Sequence, residues 1–177
     1  MSILKLKKTA NTNENCIKSL NESVGKKNWE LLYDIGVVKC FINEEKQVVT
    51  IADATDQDDD CYDTIPHAFV GVNVENEIKA ILEMCKFYYT CDYGEVFYNP
   101  YTKALHIVSS DCGYGYTKGE IPLDEDGEVD FEQFMTDSFI EFNEHPETSF
   151  IKEVEWADEY YPDEKEFMLI GRIVEAC

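Results

Sequence analysis

The chain has 177 residues, 44% of them hydrophobic and 13% aromatic, which is enough apolar material for a domain with a true core and too much for a disordered acidic protein. It carries 15 basic against 37 acidic residues, a formal charge of −22, and the excess is uneven: residues 1–50 hold eight lysines against six carboxylates, whereas residues 51–177 hold seven basic side chains against 31 acidic ones. Direct binding to DNA, RNA or an anionic membrane is therefore disfavoured, because Lys and Arg hold those partners.

Seven cysteines make an odd set without a CxxC pair: Cys16, Cys40, Cys61, Cys85, Cys91, Cys112 and Cys177. The start, MSILKLKK, lacks the apolar core of a signal peptide, and no later run approaches the roughly 18 apolar residues of a membrane span. Reduced thiols and a cytoplasmic location are the expectation.

Residues 1–13 read as a short basic strand or arm, and residues 1–30 as a semi-independent appendage to a single domain spanning 1–177. Ile17, Leu20, Val24, Trp29, Leu31 and Leu32 predict a helix from about Glu14 to Ile35, interrupted near Gly25 and closed by Gly36. Val37–Ile42 and Gln47–Ala52 flank Asn43-Glu44-Glu45-Lys46 as a hairpin. Asp53 to Thr64 reads as an aspartate-rich loop, and Ile65-Pro66-His67 leads into the short apolar run Ala68–Val72.

Helical spacing returns from Asn73 to Lys86 through Val74, Ile78, Ile81, Leu82 and Cys85. A second hairpin is predicted over EVFYNPYTKALHIVSS, turning at Asn99-Pro100-Tyr101-Thr102. The glycine-rich stretch Asp111–Gly119 reads as a loop with exposed Tyr114 and Tyr116. After it, Phe131, Phe134, Met135, Phe139 and Phe142 predict an amphipathic helix over about Asp130–His145, with Asp137, Glu141 and Glu144 on its other side. Phe150–Trp156 and Phe167–Val174 are strand candidates. Five or six strands joined as hairpins, with about three helices packed on them, imply an α+β fold with a mainly antiparallel sheet.

No constellation points to catalysis or to a cofactor. Asp124–Glu132 looks like the second half of an EF-hand loop, but aligning Gly127 with the loop glycine places Pro122 at the first ligand position and Gln133 at the twelfth, where a bidentate glutamate belongs. Asp53, Asp56, Asp58, Asp59, Asp60 and Asp63 are dense in oxygen ligands but follow no ordered spacing. Cys85, Cys91, His106 and Cys112 lie outside the spacing of zinc knuckles, and Cys112 with His106 is a weak nucleophile–base pair in acidic surroundings. Gly113–Gly119 lacks the GK[ST] order of a P-loop.

The expectation is a non-catalytic acidic protein whose partner is basic, a nucleic-acid-binding enzyme or complex, with Asp124, Glu125, Asp126, Asp130, Asp137, Glu141, Glu144, Tyr114 and Tyr116 at the interface. In size and charge the chain resembles the antirestriction, anti-CRISPR and glycosylase-inhibitor proteins of phages that mimic nucleic acid, a resemblance of composition that involves no motif. The alternatives are a small metal-dependent or Cys-dependent enzyme and an immunity or interaction domain without mimicry. A homodimer is compatible with any of them.

Overall fold

The computed structural model describes residues 2–56, 63–88, 93–109, 115–118, 125–126, 151–154 and 166–174. The chain divides into two compact units, Met1–Asn73 with Asp163–Leu169, and Val74–Pro162 with Ile170–Cys177. The class is the α+β one that the hairpins imply, with antiparallel pairing throughout the registers described below. Two helices and ten strands occur among the described residues. The helix expected over Asp130–His145 lies outside them.

In the first unit, β1 (Ser2–Lys5) pairs with β5 (Asp63–Val70), β5 with β4 (Val48–Asp56), β4 with β3 (Val38–Ile42) and β3 with β2 (Glu30–Asp34). Beyond the reach of β3, Ala54 of β4 stands opposite Met168, the first residue of β10 (Met168–Val174). Helix α1 (Asn13–Ser23) starts where Thr12, in an extended conformation, accepts the Asn15 N–H on its hydroxyl at 3.2 Å.

Alternation along the strands builds two apolar faces. Phe41, Val49, Ile51 and Ala68 join Leu6, Ala10, Cys16, Leu20 and Trp29 in one core cluster, so residues from the first 24 positions pack directly into it. Phe41 is fully buried, and truncating such a side chain to alanine costs about 3–5 kcal/mol. The alternate positions Val38, Cys40, Thr50, Ala52, His67 and Phe69 are buried as well, which is why β4 reads as a near-continuous apolar run. The polar members of that face are satisfied: Thr50 donates to Val72 O at 2.5 Å, and His67 Nδ1 lies 2.7 Å from the Ile65 carbonyl, which can only accept.

Cys16 and Cys40 are free, buried thiols. Burial pushes the Cys16 thiol up, opposed by Lys39 and reinforced by Asp34, and its Sγ donates to Ala10 O at 3.4 Å.

Several sequence expectations need correction here. The helix predicted through Ile35 stops at Ser23, and Glu30–Asp34 is strand β2. Gly25 follows the helix at φ +153°, a backbone region that favours glycine, and Trp29 Nε1 reaches back to Gly25 O at 3.1 Å. The Asn28 N–H goes to Glu44 Oε2 at 2.7 Å and Lys27 pairs with Glu45, so residues 27–28 are tied to the β3–β4 turn instead of continuing a helix. Gly36 does not close a helix: at φ +80° it turns β2 into β3, its N–H on Asp34 Oδ1 at 3.0 Å.

Part of the loop expected over Asp53–Thr64 is strand. Asp53–Asp56 extend β4 and Asp63–Thr64 begin β5, leaving residues 57–62 outside the described set. Strand β5 runs through Pro66, whose carbonyl accepts the Leu6 N–H at 2.8 Å where β1 has already ended, so the missing proline donor breaks no regular ladder.

In the second unit, helix α2 (Glu75–Tyr88) buries Ile78 and Ile81, and Val74, just before its first turn, is buried four residues ahead of Ile78. Glu75 and Glu77 lie in its first turn, where the helix dipole favours them, and Glu75 pairs with Lys79. The strand order is β10, β6 (Tyr93–Asn99), β7 (Ala104–Ser109), β8 (Gly115–Lys118), β9 (Ile151–Val154). The β6–β7 hairpin is the one the sequence predicts. Strand β8, by contrast, occupies residues expected to be glycine-rich loop, paired to β7 and β9.

Both predicted hairpins use the same turn chemistry. Buried Asn43 accepts the Glu45 and Gln47 N–H groups on Oδ1, and buried Asn99 accepts those of Tyr101 and Thr102. Each turn ends on a lysine at positive φ, Lys46 at 65° and Lys103 at 59°.

Candidate functional site

Three of the nine residues expected at a partner interface fall within the described set. Glu125 and Asp126 form an exposed turn, and Tyr116 occupies β8 in register with Ile107 and Glu153. Asp124, Asp130, Asp137, Glu141, Glu144 and Tyr114 lie outside it. Of the aspartate-rich segment, Asp53 and Asp56 lie on β4 and Asp63 on β5, with Asp53 in register with Pro66 and Asp56 with Asp63, while Asp58, Asp59 and Asp60 lie outside the described residues. No lysine or arginine occurs from residue 47 to residue 78, so this hairpin has no sequence-local cation.

In the second unit, a carboxylate on α2 and one on β6 are each bound to a cation. On β6, Val96 and Tyr98 alternate with Glu95 and Phe97, and all four are buried. The Tyr98 side points at α2: the phenol donates to Glu77 Oε2, while Lys103 Nζ from the β6–β7 turn lies 3.0 and 3.1 Å from the two Glu77 oxygens. Burial, then the Glu77 hydrogen bond and charge, holds the Tyr98 phenol well above the ordinary tyrosine range. One carboxylate thus fastens the helix to a strand and to the turn that follows it.

Glu95 lies on the opposite side of the sheet from Tyr98. Its Oε1 accepts from Arg172 Nε of β10 at 3.3 Å, with only about a tenth of the glutamate side chain exposed. The neighbouring Gly171 brings β10 against α2, because a Cβ there would overlap Leu82 Cδ2 and stand 3.1 Å from Leu82 Cδ1. Gly171 and Arg172 therefore serve opposite faces of one strand, one for close packing and one for charge. His106, buried on β7, sits in register between Phe97 of β6 and Thr117 of β8.

The sequence reading passed over Glu77, Tyr98, Lys103, Glu95 and Arg172. The available signal was positional: Glu95 precedes an apolar alternation on a strand, and Glu77 immediately precedes the buried Ile78 on a helix. Chemically, a phenol donating to one carboxylate, and a cation beside each of the two, make fixed contacts that fasten these elements to one another. Among the described residues, no group of three or more His, Cys, Asp or Glu is placed to hold a metal ion. No helix among them is long and apolar enough to cross a membrane. Comparison with models of known protein families, with curated proteins and with solved structures gave no match to this chain.

Proposed function

We propose that the protein is a non-catalytic acidic binding protein that occupies the basic, nucleic-acid-binding site of a protein partner, as an inhibitor of the nucleic-acid-mimic type used by phage anti-defence proteins. The observation that carries this reading is the β4–β5 hairpin, in which Asp56 is the register partner of Asp63, within a run of 32 consecutive residues, 47–78, that contains no lysine or arginine. Like charges directly opposite on paired strands are destabilising, by an amount within the roughly 0.2–1 kcal/mol range of cross-strand pairs. Two aspartates kept at paired positions of the register, on a chain of charge −22, support a surface whose useful property is anionic density. Cross-strand Cβ atoms lie about 5 Å apart, on the scale of the one phosphate per about 3.4 Å of axis on each strand of duplex DNA.

A non-catalytic role is supported by Glu77 and Glu95, each bound to a cation inside the fold, and by the exposed acidic turn Glu125–Asp126. The test is to capture the partner from cell lysate on immobilised protein, then measure the affinity between low and high ionic strength and against competing DNA or RNA. Binding through many screened charge pairs should weaken by tenfold or more over that range and be displaced by nucleic acid. The triple variant Asp137→Lys, Glu141→Lys, Glu144→Lys should weaken it further. An affinity indifferent to salt, to nucleic acid and to the triple reversal would remove the mimicry reading.

A further inference from the structure

We draw no further inference here: the strongest candidate, the exposed Leu31–Leu32 pair on the bulged strand β2 of the first unit, is a small apolar patch for which nothing in the structure shows what covers it.

Discussion

Substitution of Glu77 probes the second unit most directly, because one carboxylate carries three contacts there. In Glu77→Ala the Tyr98 phenol stays buried with its acceptor gone, and Lys103 loses both oxygens. A hydrogen bond to a charged group contributes about 1.5–3 kcal/mol, and a buried donor left unmade costs about 1–3 kcal/mol. The Lys103 side chain is about a quarter exposed, so water replaces much of what it loses. The expected destabilisation is about 3 kcal/mol. Tyr98→Phe removes one bond but leaves Glu77 with Lys103 and some solvent, so about 1.5 kcal/mol is expected. Because the two changes delete the same contact, the double variant should fall short of the sum by about 1–2 kcal/mol. Urea denaturation of the four proteins, with the m-value checked for constancy, measures all of these terms. Additivity within about 0.5 kcal/mol would show that the Tyr98–Glu77 bond does not fasten α2 to β6.

Further expectations concern pH, packing and surface charge. Because the Tyr98 phenol is held above its ordinary range in the folded protein, its contribution is complete below about pH 10 and is lost as pH rises beyond it, by about 1.4 kcal/mol per unit. Alkaline unfolding curves of wild type and Tyr98→Phe should therefore converge above pH 10, and parallel curves would contradict the assignment. Gly171→Ala should destabilise by about 1–3 kcal/mol through overlap with Leu82, and Leu82→Ala in the same chain should relieve most of that increment in thermal melts. Asp63→Lys replaces a like-charge pair with an opposite-charge one across from Asp56 and should raise stability by roughly 0.5 kcal/mol at low salt, with the gain shrinking as salt is added. The same substitution should weaken binding to the captured partner if the hairpin belongs to the working surface.

Features with nearby determinants were legible in the sequence. Both hairpins, Val38–Ile42 with Val48–Asp56 and Tyr93–Asn99 with Ala104–Ser109, combine period-two alternation with a turn begun by asparagine, and every one of those signals lies within a few residues of the turn. Helix α2 was readable for the same reason, since Val74, Ile78 and Ile81 repeat on one side. The α+β class followed from these pieces together.

Strand β2 was misread because Trp29, Leu31 and Leu32 suit a helix as well as a strand, and periodicity does not separate the two in so short a run. Its conformation is set by partners distant in sequence: Phe41 and Ile42 in the ladder, and Glu44 taking the Asn28 N–H from 16 residues away. Strand β8 escaped notice because the strand-favouring Tyr116 and Thr117 are only two residues, set between Gly115 and Lys118 in a glycine-rich stretch, and the strand is paired to β7 on one side and β9 on the other.

The charge itself, its sign and its concentration after residue 50 belong to the sequence alone, and so do the turns and the apolar faces. The fate of individual carboxylates was a tertiary decision. Glu77 finds Tyr98 at a separation of 21 residues and Lys103 at 26, and Glu95 finds Arg172 at 77, whereas the register sets Asp56 opposite Asp63 on the paired strand. Coulomb energy depends on distance in space and on the surrounding dielectric, and neither is written in the spacing of residues along the chain.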